Sequence, residues 1–138
     1  MSRSLFGAVV LLAAFTSVGC DDKGPTTPTP PAAPTITENF SGTLTVNGGV
    51  SYPFVVGTSG SVTATLTSVS PDVEVPIGMS LGVWNTTTES CQVIISSDLT
   101  LQGNVIVGNA RSGVLCVRVY DVGRLTASTT YEVAVTHQ

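Results

Sequence analysis

Gly78-Met79-Ser80-Leu81-Gly82 has the G-x-S-x-G spacing that holds a serine nucleophile on a sharp strand-to-helix turn. Asp98 or Asp121, and then His137, follow in the order Ser, Asp, His, which would complete an acyl-transfer triad. The neighbouring residues argue against that chemistry. Met79, Leu81 and Val83 alternate with Ser80 and Gly82 as a β-strand does. Val83-Trp84-Asn85-Thr86-Thr87 does not open the helix whose positive end would face an oxyanion. His137 is the penultimate residue, where chains fray. A small serine hydrolase using Ser80 is therefore the last-ranked function, and the chain reads as a non-enzyme.

Ligand chemistry has other candidates. Asp72 and Glu74 share a loop, and Asp121 and Glu132 could meet from neighbouring strands, so these four acids are the ones to hold calcium. Calcium takes six to eight oxygens, and no D-x-[DN]-x-[DN]-G loop supplies them, which leaves solvated surface acids as the alternative. Trp84, Tyr52, Tyr120 and Tyr131 could stack on sugars, or pack in the core. Trp84 shares strand parity with Ser80 and Gly82, opposite Met79, Leu81 and Val83, which places it on an outer face as a candidate ligand surface. Gly108 to Gly113 has glycines at phosphate-loop spacing, but no Lys-Ser/Thr follows, so it reads as a turn. The five basic residues are scattered in a chain of net charge −4, which excludes a nucleic-acid surface.

The N-terminus supplies an address. Arg3, the apolar run Leu5 to Phe15 and the small residues Ser17-Val18-Gly19 make residues 1–19 a secretory signal peptide. The run is shorter than the ~20 residues of a membrane-spanning helix. Ser17-Val18-Gly19-Cys20 resembles the lipobox of bacterial lipoproteins, although leucine is usual where Ser17 stands. That resemblance implies that Cys20 is acylated and tethers the chain to a membrane, with simple secretion as the alternative. Residues 20–35 then form the anchor and a Pro/Thr-rich linker, with Pro25, Pro28, Pro30, Pro31 and Pro34 favouring extended polyproline II.

In an exported domain the remaining pair, Cys91 and Cys116, reads as a disulfide. The alternatives are two free thiols or, less well supported, a zinc site lacking histidine ligands. Cys116 has the parity of Arg118 rather than of Leu115 and Val117, which puts the bridge on an outer face or at a strand end.

These groups must be positioned by strands. From residue 36 the hydrophobic period is two. Val62, Ala64 and Leu66 alternate with threonines, and Leu115, Val117 and Val119 alternate with polar residues. Asn47-Gly48-Gly49, between two such runs, predicts a hairpin. Leu99–Val107 reads as one strand, and Pro53 marks an edge strand. About seven to nine short strands over residues 36–138 predict a single all-β, antiparallel, jelly-roll-like β-sandwich.

The order of a strand, Asn-Gly-Gly, Tyr52-x-Phe54-x-Val56, a Gly-rich turn and Val62-Thr63-Ala64-Thr65-Leu66 resembles the bacterial pre-peptidase C-terminal domain. Ser80 to Asn85, Gly113 to Asp121 and Thr130 to Val135 fit the same family. The resemblance implies a non-catalytic β-sandwich of exported proteins, with no universal active site to carry over. The chain is accordingly expected to be a cell-envelope binding or accessory module, in the periplasm or at the cell surface, with a polysaccharide or calcium as candidate ligand. A structural or assembly protein that binds envelope proteins is the alternative.

Overall fold

The computed structural model describes residue 24 and residues 27–138. The expected signal peptide over residues 1–19 and the expected anchor Cys20 lie outside them. Residues 27–35 are without regular secondary structure. Ala32–Gln138 forms one compact unit. Its strands are β1 (Ile36–Leu44), β2 (Gly49–Val56), β3 (Gly60–Ser70), β4 (Ile77–Asn85), β5 (Ser90–Thr100), β6 (Val105–Ala110), β7 (Gly113–Tyr120) and β8 (Thr129–His137). Among the described residues there is no helix.

The strands make two antiparallel four-stranded sheets, ordered β1-β8-β3-β6 and β2-β7-β4-β5. This interleaving is the jelly roll of two Greek keys. Only β4 and β5 are both consecutive and paired. Every other connection carries the chain from one sheet to the other.

The period-two pattern decides which face is buried. Val62, Ala64 and Leu66 of β3 and Tyr131, Val133 and Val135 of β8 face Phe54, Val56, Met79, Leu81, Val117 and Val119 of the second sheet. These side chains are almost fully buried. Fully burying one aliphatic side chain stabilises by roughly 1.5–3 kcal/mol, so this interior is the main source of stability. β2 is an edge strand, which agrees with Pro53: its missing N–H deprives no neighbour on the open side.

Three local expectations are corrected. Asn47-Gly48 does not close a hairpin, because β1 pairs with β8 and β2 with β7. The turn is an arch between sheets: the Gly48 N–H donates to the Thr45 carbonyl, and the Asn47 N–H to Asp121. Leu99–Val107 is not one strand either. Gly103 (φ 87°) and Asn104 turn the chain between β5 and β6, with the Asn104 N–H donating to the Leu101 carbonyl and the Leu101 N–H to Asn104 Oδ1. Gly108 then belongs to β6, and only residues 111–112 turn.

Candidate functional site

The sequence-predicted sites are placed as follows. Ser80 is fully buried mid-strand on β4, on the parity opposite Met79 and Leu81, and its Oγ has no hydrogen-bond partner. His137 pairs with Ile36 in the other sheet, where its Nε2 lies 2.9 Å from Glu38 Oε1 and its ring stacks on Phe54. It does not fray; it is buried. Asp98 accepts a hydrogen bond from the Tyr120 hydroxyl, and Asp121 accepts from backbone amides. Ser80, either aspartate and His137 therefore do not meet, and no nucleophile elbow forms.

The four acids are equally dispersed. Asp72 Oδ1 accepts the Glu74 N–H in a short turn. Asp121 follows β7 in one sheet and Glu132 lies on β8 in the other, so the expected meeting of these two does not occur. Asp121 binds its own loop: Oδ1 accepts from the amides of Gly123, Arg124 and Leu125, and Oδ2 from that of Asn47. Burial would raise its pKa, but those four amide bonds outweigh it and hold the carboxyl below its usual range. Among the described residues no three His, Cys, Asp or Glu side chains gather to hold a metal.

Cys91 and Cys116 are bonded, with Cα atoms 5.7 Å apart. Their strands, β5 and β7, are not neighbours, because β4 lies between them. Two strand spacings would put them ~9.6 Å apart. The chain closes that distance by shifting the β4–β5 register between Leu81 and Gly82 and curling the start of β5 over the outer face of β4. Gly82 sits beneath the curl, where a Cβ would run into the Gln92 carbonyl. Cys116 is thereby buried on the outer face. Trp84 pairs with Cys91 at the end of β4 and is half-buried, on the outer parity its spacing predicts.

The same outer face carries Arg118 over the Tyr120 ring at 5.4 Å. Burial, and then the hydrogen bond to Asp98, push the Tyr120 hydroxyl pKa up.

The surface that the sequence did not announce is the open side of the sandwich, where β5 and β6 are the last strands of the two sheets. Natural edge strands are usually short, charged or covered. β5 has 11 residues, and its only charged side chain is Asp98. Ile94 is 75% exposed and Leu99 62%, with Val83, Val93, Val105 and Val107 also exposed around them. An apolar cleft of about 160 Å³ opens between the sheets here, lined by Val62, Leu81, Ile94, Ile95, Ala110 and Leu115 among others. A second of about 330 Å³ shares Ile94, Asn109, Ala110 and Leu115 with it and ends on Arg111, Ser112 and Gly113. Small-molecule sites span roughly 300–1,000 Å³, so the inner cleft admits side chains rather than a whole ligand. The missed signal was Val93-Ile94-Ile95: three consecutive aliphatics break the alternation at the register shift.

No protein-family model and no curated protein matches the chain. Among solved structures it is similar to the Yersinia pseudotuberculosis-derived mitogen, with 16% identity, TM-score 0.52, and coverage of 75% of this chain and 86% of that one. It is also matched to Aeromonas hydrophila PliG, a periplasmic inhibitor of g-type lysozyme, with 11% identity, TM-score 0.48, and coverage of 73% and 84%. The first likeness is one of fold.

Proposed function

We propose that this chain is an exported, non-catalytic binding module of the bacterial envelope that engages a protein partner through the apolar cleft between β5 and β6. The exposed aliphatic surface centred on Ile94 carries this reading. Monomeric proteins seldom leave contiguous apolar surface open unless something docks on it. Export is supported by the Cys91–Cys116 disulfide and by the signal-like residues 1–19. Within the proposal Cys20 is the acylated anchor, residues 20–35 are the tether, and kinship with the pre-peptidase C-terminal domains rests on the sequence motifs alone.

The test is chemical crosslinking of solubilised envelope proteins to the full-length oxidised chain, compared with its Ile94→Asp variant. Ile94 is exposed, so the substitution leaves folding intact. A crosslinked species of defined mass that disappears with Ile94→Asp supports the reading. A species unchanged by the substitution places the partner elsewhere on the domain.

A second reading keeps a carbohydrate as ligand, on the half-buried Trp84 beside the disulfide. Melting the oxidised chain with cell-wall polysaccharides, with calcium and with EDTA tests it. A ligand at a hundredfold excess over its Kd stabilises by about 2.7 kcal/mol. A saturable rise with a polysaccharide, lost on Trp84→Ala, would favour the sugar face.

A further inference from the structure

β5 ends the β2-β7-β4-β5 sheet, so one side of its backbone has no paired strand among the described residues. Its side chains are open as well: Ile94 is 75% exposed, Leu99 62% and Ile95 37%. β6, the last strand of the other sheet, has 6 residues against the 11 of β5, too few to cover its length.

Long edges without charge are the ones that pair with another strand. The chain carries nine acids and five bases, yet from Ser90 to Ala110 the one charged residue is Asp98. A partner recognised by its charge would find almost nothing to hold along β5 and β6. A partner with the same neutral, aliphatic edge matches it.

Two copies of β5 are such a pair. Full antiparallel overlap of two Ser90–Thr100 strands about a two-fold axis sets Ile95 opposite Ile95. It sets Asp98 opposite Gln92 of the second copy, so the carboxylate meets an amide and no acid meets an acid. The axis falls at one end of the stretch Ile95 to Ser97, which keeps regular register with β4 between the two shifts. Ile94 and Ile95 line the inner cleft, so the aliphatic linings of two copies join across that axis.

The area suffices. The 11 residues of β5 and the 6 of β6 make edges ~37 Å and ~20 Å long. Taken about 10 Å deep each, they offer on the order of 600 Å². Each partner of a specific interface buries roughly 600–1,000 Å², so the open side is large enough for a small dimer.

We infer that the β5 edge pairs with the β5 edge of a second copy of this chain, joining two four-stranded sheets into one of eight strands. The inference rests on the open edge being the docking surface, and it names the occupant. Two-fold pairing uses up the edge in both copies, so assembly stops at two.

The experiment weighs the full-length oxidised chain over a concentration series by analytical ultracentrifugation, with hydrogen exchange on the same samples. The variants are Ile94→Asp and, on the opposite edge strand of the same sheet, Val55→Asp. Both positions are exposed, at 75% and 64%, so folding is retained. A reversible monomer–dimer equilibrium is expected. Ile94→Asp should raise its dissociation constant at least about tenfold, because an unpaired carboxylate is buried at the interface. Val55→Asp should leave it unchanged. Alternate amides of Gln92 to Asp98 should exchange more slowly in the dimer than in the Ile94→Asp monomer.

A parent that stays monomeric at every concentration would overturn the inference. An Ile94-dependent crosslink to an envelope protein would then still uphold the docking surface. A dimer indifferent to Ile94→Asp, or lost with Val55→Asp, would overturn the β5 edge as the interface. A dimer whose β5 amides exchange as in the monomer would overturn strand pairing, and growth beyond two copies would overturn the two-fold arrangement.

Discussion

Cys91 on β5 is bonded to Cys116 on β7 across the intervening strand β4, where Trp84 is the register partner of the first and Gly82 of the second. The bridge closes a loop of 25 residues, which in the chain-entropy view stabilises by about 3 kcal/mol. Replacing both cysteines by serine should lower the unfolding free energy by about that amount. Urea titration with matched m-values measures it. Gly82→Ala should cost roughly 1–3 kcal/mol even with the cysteines intact, because a Cβ there meets the Gln92 backbone.

Asp121 ties two connections together, the arch at Asn47 and the loop Gly123–Leu125. Its carboxyl is held below its usual range, so the charged form is favoured in the folded state. The stability it contributes is present above the unfolded carboxylate value of about 3.9 and is lost as pH falls through the lower folded value. Asp121→Asn should lower stability at pH 7 and flatten its decline in acid over that window. Denaturation midpoints from pH 7 to pH 2 for both proteins check this, and parallel curves would count against the account.

Tyr131 shows the opposite sign. Burial, and then its 2.8 Å hydrogen bond with Tyr52, push its pKa well above the usual tyrosine range. The neutral hydroxyl is favoured by folding, so the contribution is complete below the unfolded value of about 10 and is lost as pH rises through the folded one. Tyr131→Phe should cost about 1 kcal/mol at pH 7, since Tyr52 still donates to the Ser41 carbonyl. Its alkaline unfolding midpoint should depend less on pH than that of the parent.

Ser80 is a buried hydroxyl without a partner, a poor nucleophile and a cost to the fold. Ser80→Ala should leave the protein as stable or more so, by ~1 kcal/mol. Serine-directed phosphonates should not label the parent. Labelling at Ser80 would reopen the hydrolase reading.

The sequence announced the layers better than the connections. Alternation in β3 and β8 told inside from outside, because burying one face is a local consequence of period two. Asn47-Gly48 misled because a tight turn is also local, whereas the choice between hairpin and arch depends on β7 and β8, whose paired residues lie 57 to 101 positions away. Asp121, which binds Asn47, shows where that decision is made. Leu99–Val107 hid the β5–β6 turn because its Leu101 and Val105 flanks are apolar on both sides. The disulfide was legible by count and by the parity of Cys116, but the curl over Gly82 was not. The edge cleft was hidden for a related reason. Consecutive aliphatics such as Val93-Ile94-Ile95 resemble a buried strand, and only the sheet order shows that β5 has no neighbour on one side.

The central claim is that the β5–β6 edge is the surface this protein uses. The direct measurement is site-specific photocrosslinking in the cell envelope, with a photoreactive residue at Ile94 in one full-length protein and at Thr43, on the far side of the β1-β8-β3-β6 sheet, in another. The account predicts one dominant adduct from position 94 and none from position 43. An adduct from position 43 with none from position 94 would contradict it, and would make the exposed aliphatics of β5 an uncovered edge rather than a binding site.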